Sequence, residues 1–437
     1  MPNGLILAAP ASGSGKTVVA LALAAALRRR GKRVVPAKSG PDYIDGAFLA
    51  AAAGAPCRNL DAWAMRRETI AATLAACGDA DLVLCEGAMG LFDGIGAGSI
   101  GSTAALAGIV GWPVVLVADA AGVGASISAL VQGFARHRPE TRLGGIILNR
   151  VGSARHRAAL EAALARDVPE VAYLGALTRD AALALPSRHL GLVQASELEA
   201  LDTLIARAAE KAEAELDVAR ILALAAPATL APEKTAPPLP PPGQRIAVAR
   251  DRAFAFAYAF VLEGWRAAGA SLAFFSPLAD EPPDPACDAV YLPGGYPELH
   301  AGTLAAARRC RAGLHAAAAH GARIYGECGG YMALGRGLVD AAGARHEMMG
   351  LLPLETDFSE RRLQLGYREA RLLASSPFGA AGARYRGHEF HYATVREEGA
   401  GDALFALADG EGAPLGAAGR VAGTVMGSFV HLLDRAS

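Results

Sequence analysis

A chain of 437 residues is too long for one ordinary domain and sets two as the expectation. Hydrophobic content of 52% against 19% charged residues excludes a disordered polymer and predicts large cores. A formal net charge of −1 with a pI near 6.8 gives no electrostatic reason to expect a nucleic-acid or membrane-surface partner.

The first organised stretch is a P-loop-like segment. Residues 5–8 read as a buried strand and 18–30 as an apolar-faced helix, joined by small residues that end in Gly13-Ser14-Gly15-Lys16-Thr17. Small residues let backbone N–H groups close around a phosphate, and the helix N-terminus adds partial positive charge. Lys16 supplies a full charge, and Thr17 places a hydroxyl where Mg²⁺ would sit. Pro10 stands where the usual pattern has its first glycine. Lysine is scarce in this chain, arginine filling all but five of the 42 basic positions, which marks Lys16 as a chemical choice.

Strand-like and helix-like segments then alternate to about residue 195. Strands are predicted at 33–38, 81–87, 113–118 and 145–148, with helices at 47–53 and 66–77. Near-continuous apolar strands between helices predict a parallel sheet covered on both faces. Residues 196–199 resemble a capping box opening a helix to about 224. Residues 225–243 are proline-rich and read as a semi-rigid linker, so the expected domains are 1–224 and 244–437. A second α/β pattern follows, with strands at 245–249, 272–275, 289–292 and 323–327 and helices at 253–268 and 304–320.

Carboxylates at strand ends define a candidate metal edge. Glu86 ends an apolar strand, and Asp42, Asp45 and Asp93 lie in glycine-containing turns after strands. Such acids can hold Mg²⁺ or orient a substrate, and each taken alone also fits an ordinary turn aspartate. In the second half, Gly326-Glu327-Cys328-Gly329-Gly330 places a cysteine between a strand and a helix, the layout of a nucleophile elbow. The loop Pro293-Gly294-Gly295-Tyr296 could aim N–H groups at an oxyanion, and His431 is the candidate base. His388 and His391 are not read as a metal pair, because residues three apart on a strand point to opposite faces. The six cysteines form no C-x-x-C pair and fit a reducing cytosol. The N-terminus lacks the basic region of a secretory signal. The longest apolar stretch, 104–118, is broken by glycine and proline and falls short of a membrane span. A soluble, cytoplasmic protein is expected.

With these motifs assembled, the chain closely resembles the cobyrinic and hydrogenobyrinic acid a,c-diamide synthases of corrin biosynthesis. The likeness rests on the P-loop segment, Gly40-Pro41-Asp42-Tyr43-Ile44-Asp45, Asn59-Leu60-Asp61-Ala62-Trp63 and Glu86-Gly87-Ala88-Met89-Gly90-Leu91-Phe92-Asp93-Gly94. It extends through Pro293-Gly294-Gly295-Tyr296-Pro297-Glu298, Glu327-Cys328-Gly329-Gly330-Tyr331-Met332 and Gly387-His388-Glu389-Phe390-His391-Tyr392. The resemblance implies a dethiobiotin-synthetase-like P-loop domain followed by a triad-type glutamine amidotransferase domain. It implies that Cys328 is the glutaminase nucleophile, His431 its base, and Gly295 part of the oxyanion hole. Gly13, Ser14, Gly15, Lys16, Thr17 and Asn149 would bind ATP, with Asn149 reading adenine. Thr17, Asp42 and Glu86 would hold Mg²⁺, and Tyr43, Asp45 and Asp93 would serve the corrinoid carboxylate.

The implied reaction is ATP-dependent amidation of the a and c acetates through acyl phosphates, with ammonia from L-glutamine. Two alternatives are a cobyric acid synthase-like enzyme amidating other side chains and, in another class, a partner-binding switch ATPase. The sequence leaves the oligomeric state open, a homodimer included, and does not say whether the ring carries cobalt. Two departures from the family pattern stand out. Ala9 and Pro10 replace the usual Gly-Thr, and Leu433 occupies the position where many triad-type amidotransferases place a glutamate, two residues after the histidine. On this reading His431 lacks its usual orienting carboxylate.

Overall fold

The computed structural model describes residues 1–188, 191–192, 194–231 and 236–436. It divides into two compact units, one of residues 1–63 and 67–235 and the other of residues 64–66 and 236–437.

In the first unit the sheet order is β3-β2-β4-β1-β5-β6-β7. These strands are β1 (Asn3–Ala8), β2 (Val34–Ser39), β3 (Arg58–Leu60), β4 (Leu82–Glu86), β5 (Val114–Asp119), β6 (Leu143–Val151) and β7 (Ala172–Thr178). All pairings along this path are parallel. Side chains on both faces of β4 and β5 are buried, which explains why these strands read as unbroken apolar runs rather than alternating ones. Every strand therefore ends at the same edge, and β1 and β4, adjacent at the centre, carry the P-loop and Glu86 to that edge. Gly4 has a packing reason of its own: a Cβ there would meet the Trp112 ring at 2.2 Å.

The expected helix over 196–224 is corrected to two, Leu201–Glu215 and Val218–Ala223. Leu216 leaves the helix to bridge Gly175, and the Asp217 carboxylate caps the second helix by accepting from Arg220 N at 2.9 Å. Part of the proline-rich stretch is tied into structure. Ala226–Pro227 pairs antiparallel with β1, and Leu239 is buried; residues 232–235 lie outside the described ones.

In the second unit a six-stranded sheet runs Ser271–Phe275, Arg245–Ala249, Ala289–Leu292, Arg323–Glu327, Val425–Ser428 and Arg420–Ala422. The first five are parallel and the last is antiparallel. The helix expected over 253–268 begins only at Ala259, and the one expected over 304–320 is split into Ala301–Ala306 and Arg308–Ala319. An antiparallel five-stranded sheet and a smaller four-stranded one complete the unit, and neither is resolved in the sequence reading. The chain passes from the parallel sheet at Ser428 to the antiparallel sheet at His431 within three residues. That crossing sets His431 on the neighbouring elbow. Among the described residues no helix is long and apolar enough to cross a membrane.

Candidate active sites

At the carboxyl edge of the first sheet lies a cavity of about 610 Å³, lined by Lys16, Thr17, Asp42, Asp45, Glu86 and Asn149 among others. The P-loop bends through Gly13 (φ 79°) and Gly15 (φ 88°), both in the left-handed region, before helix α1 (Lys16–Arg29) begins. Gly15 is also sterically obligatory, since a Cβ would lie 2.2 Å from Asn149 Nδ2. That amide donates to Ser14 O at 2.9 Å, so Asn149 clamps the loop from β6. Pro10 loses no bond to the loop. The neighbouring Ala9 carbonyl accepts from Leu91 N at 2.8 Å and ties the first turn to the 87–94 segment.

Lys16 Nζ donates to Met89 O at 2.5 Å. Burial lowers its pKa, against the pull of Glu86, Asp45 and Asp93. Thr17 Oγ1 donates to Glu86 Oε1 at 2.6 Å. Lys38, at the end of β2, is buried and reaches Asp45 Oδ2 at 2.6 Å, Glu86 Oε1 at 3.2 Å and Asp42 Oδ2 at 3.9 Å. Burial opposes its charge, but the three acids outweigh that and hold the ammonium protonated well above its ordinary range. Burial pushes Asp42 up to about 6 and Glu86 up to about 7, with Lys38 opposing both shifts. Glu86 Oε2 is buried with no hydrogen-bond partner among the described residues. A buried carboxylate oxygen left orphaned beside a threonine hydroxyl suits a hard divalent cation, so the residues present fit Mg²⁺.

The acids differ in what else they touch. Asp42 Oδ1 accepts from Ile44 N at 2.7 Å and starts the helix Ile44–Ala53, while Asn59 pins the same turn by donating to Gly40 O and Asp42 O. Asp93 Oδ2 accepts from Gly90 N at 2.7 Å, holding the 90–93 turn. Tyr43 and Asp93 do not line the cavity, and Asp45 is bound to the lysine that also holds Glu86.

The second unit gathers its chemistry at the end of the strand Arg323–Glu327. Cys328 has φ 49° and ψ −104°, a strained conformation for a residue with a Cβ, and it leads directly into the short helix Gly329–Leu334. Glycines around it permit close approach. A Cβ on Gly330 would lie 1.9 Å from Leu292 O, one on Gly329 2.9 Å from Gly295 N, and one on Gly295 2.1 Å from Ala253 O. The glycine loop is thereby pressed against the elbow.

His431 is buried and hydrogen-bonded to the Cys328 side chain, and its Nδ1 lies 3.2 Å from Glu327 Oε1. Burial alone would lower its pKa, but Cys328 and Glu327 together raise it to about 10. His388 stacks on His431 with centroids 4.8 Å apart and meets the Tyr258 hydroxyl at 2.8 Å. Burial, then the neighbouring His431, keeps His388 well below its ordinary range and therefore neutral. His391 stacks instead on Phe429 at 3.9 Å.

Two family models cover these units. Residues 5–193 match the CobQ/CobB/MinD/ParA nucleotide binding domain, and residues 245–436 match the CobB/CobQ-like glutamine amidotransferase domain. The chain is 53% identical over 433 residues to hydrogenobyrinate a,c-diamide synthase of Rhizobium meliloti, covering 99% of both chains. It is 54% identical to the enzyme of that name from a Sinorhizobium species, again with 99% of both chains covered. The corresponding figures for Rhodobacter capsulatus are 52% and 99% of both. The chain belongs to the hydrogenobyrinate a,c-diamide synthase family. Like the family, it is a glutamine-dependent amide-forming ligase built from a P-loop nucleotide-binding domain and a glutamine amidotransferase domain.

Set in this family, most of the residues singled out in the sequence fall into two clusters. Gly13, Gly15, Lys16, Thr17, Asp42, Asp45, Glu86 and Asn149 share the first-unit cavity; Cys328, His431 and the Gly295 loop share the elbow. Three functional contacts escape the sequence reading. Lys38 appears there only as one of few lysines, and its scarcity is the signal that could have found it. The sequence presents His388 only as a possible metal ligand. Glu327 lies inside the elbow motif, before the cysteine, while the triad-type pattern points to a carboxylate after the histidine.

Proposed function

We propose that this chain amidates the a and c acetates of hydrogenobyrinate in corrinoid biosynthesis, using ATP and ammonia released from glutamine. The observation that carries the reading is the presence, in a single chain, of a P-loop cavity with an acidic edge and a Cys328–His431 pair on a strained elbow. The names of full-length relatives supply the ring substrate. In the second unit the Cys328 thiolate attacks the glutamine carboxamide carbon, and backbone N–H groups of the Gly295 loop receive the oxyanion. His431 gives its proton to the leaving nitrogen, so ammonia departs and a thioester remains. Water, deprotonated by the same imidazole, then releases glutamate.

In the first unit a ring carboxylate attacks the γ-phosphorus of ATP, the β–γ bridging bond breaks, and an acyl phosphate and ADP form. Ammonia attacks the acyl carbon, phosphate leaves, and the amide remains. Lys16 and the loop N–H groups meet charge on the transferring phosphoryl group. Thr17 and Glu86, with Asp42 beside them, would hold Mg²⁺, which supplies further charge neutralisation when bound. Lys38 keeps Asp45 and Glu86 in place, and Tyr43, Asp45 and Asp93 would serve the ring carboxylate. Incubating the enzyme with hydrogenobyrinate, ATP and glutamine should yield the diamide by mass spectrometry. Absence of any amidated ring, with glutamine still hydrolysed, would refute the substrate assignment.

Two further outcomes follow from the geometry. A Cβ at Gly294 would lie 2.4 Å from His431 Cε1, so Gly294→Ala displaces the base. Glutaminase kcat should fall about 10²-fold, the scale of a 1 Å misplacement. Unchanged steady-state hydrolysis would count against His431 as the base. Asp45→Asn keeps a hydrogen-bonding partner for Lys38 but loses its charge. Amidation should drop by roughly 10²-fold while glutaminase activity holds, as for one lost electrostatic contact. If calorimetry finds ATP·Mg²⁺ affinity collapsed, Asp45 belongs with the metal-binding acids instead of the ring side.

A further inference from the structure

Many triad-type amidotransferases place an orienting glutamate two residues after the catalytic histidine, and this chain has Leu433 there, fully buried. A leucine cannot accept a proton-bearing ring nitrogen. The buried carboxylate at the histidine comes instead from Glu327, the residue immediately before the nucleophile. Backbone direction explains how one strand can supply both groups. Glu327 is the last residue of the strand Arg323–Glu327, and the abrupt turn at Cys328 sends the next side chain away from it. The glutamate thus stays buried against His431 Nδ1, and the thiol meets the same ring.

We infer that Glu327 is the positioning residue of the glutaminase site, fixing the tautomer of His431 and stabilising its imidazolium. The inference rests on the reading of Cys328 and His431 as the glutaminase pair. With Nδ1–H donating to Glu327 Oε1, the nitrogen left to exchange a proton with Cys328 is Nε2. The carboxylate is itself held from several sides. Tyr291 OH donates to Oε1 at 3.0 Å, while Leu432 N at 3.2 Å and Tyr325 OH at 3.5 Å face Oε2. Tyr291 and Tyr325 stack nearly parallel, with centroids 5.9 Å apart, so the donors are braced as well. Leu432 adjoins His431, so one carboxylate grips both the ring and the backbone that carries it. Such double anchorage is what a group needs to fix an orientation instead of merely filling a charge.

The titratable groups around His431 are the Cys328 thiol, the Glu327 carboxylate and the neutral His388 and His391 rings. Of these, Glu327 is the fixed anion. Its charge favours the protonated ring, so removing it must lower the pH at which the imidazolium is lost.

The test is glutamine hydrolysis by the full-length enzyme as a function of pH, for wild type, Glu327→Gln, Glu327→Asp, Tyr291→Phe and Cys328→Ala. Glu327→Gln should lose about 10²-fold or more in kcat with little change in KM, the signature of a lost orienting carboxylate in triad hydrolases. Its alkaline limb should move to lower pH. Glu327→Asp should recover part of the rate, and Tyr291→Phe, which keeps the charge of Glu327 but frees its carboxylate, should lower kcat on a smaller scale. Equal kcat and an unmoved limb in a folded Glu327→Gln overturn the inference. So does a loss confined to the melting temperature. If Glu327→Gln does not fold, Tyr291→Phe decides, and an unchanged kcat there is equally fatal. Cys328→Ala separates the two levels. If it hydrolyses glutamine normally, the nucleophile assignment itself fails; if it is dead while Glu327→Gln matches wild type, only the role of Glu327 fails.

Discussion

Cys328→Ala is expected to abolish glutamine as a nitrogen source while leaving ammonia usable. Without the thiolate no thioester can form, and nothing else at the elbow is placed to replace it. The first unit needs only free ammonia to attack its acyl phosphate, so ammonium chloride at mildly alkaline pH should restore diamide formation to near the wild-type ammonia-dependent rate. The substitution is structurally mild in volume: it gives up the thiol's contacts with His431 and with Phe390 O at 3.8 Å, while Cys328 N still donates to Ser428 O at 2.8 Å and Met332 N to Cys328 O at 3.0 Å through backbone alone. The strained φ of 49° is a backbone property and persists in alanine. Competing roles predict different patterns. A structural cysteine would leave glutamine-dependent synthesis largely intact, whereas a cysteine acting on the ring would lose synthesis with both nitrogen sources. The measurement is product formed with glutamine and with ammonium chloride, wild type beside variant, with circular dichroism to compare folds. A folded variant that still uses glutamine removes Cys328 from the mechanism.

The sequence exposes the parts of this protein that obey local rules. Parallel strands buried on both faces leave apolar runs, which is why β4 and β5 were legible to within a residue or two. Motifs at the strand ends were legible for the same reason: a loop that must surround phosphate or expose a thiol restricts residue type over several consecutive positions. The antiparallel layer around residues 364–435 was not legible, because half-exposed strands such as Gln364–Leu372 mix polar and apolar side chains with an arginine buried among them. The long helix expected after residue 196 failed at Leu216, where a tertiary bridge to Gly175 outweighed helical propensity. Contacts between distant strands were the hardest to read. Lys38 meets Glu86 because β2 and β4 are neighbours in register, Lys38 opposite Glu86, and no spacing along the chain encodes that. Glu327 meets His431 across 104 positions through a change of sheet at residues 429–430. Sequence reasoning looked for the acid near the histidine because local motifs are what a sequence displays.

Lys16→Ala should be the most damaging change in the first unit, and its damage should be confined to synthesis. The ammonium is buried at the mouth of α1, where burial lowers its pKa and it donates to the Met89 carbonyl. Met89 holds a positive φ of 44° to present that oxygen, and the residue is half exposed. A carbonyl is a weak partner for a buried cation, so an anionic phosphate arriving in the cavity offers Lys16 a stronger one. In the transition state the γ-phosphoryl oxygens gather charge, and a compact ammonium fixed beside them acts without reorganisation. Its removal should cost about 10²-fold or more in ATP-dependent amidation, the scale of one lost transition-state donor. Because the loss concerns the phosphoryl step, saturating ATP should not recover it, and ammonia in place of glutamine should not either. Glutamine hydrolysis measured alone should continue. Lys16→Met, which keeps the aliphatic stem packed, should behave like alanine in rate while melting closer to wild type, separating charge from packing. The contrast with Lys38 sharpens the interpretation. Lys38 is already tied to Asp45 and Glu86, so its cation balances fixed acids, whereas among the described residues Lys16 donates to a backbone carbonyl that it can exchange for the substrate. Near-normal amidation by Lys16→Ala at saturating ATP would place the nucleotide chemistry elsewhere and take the P-loop assignment with it.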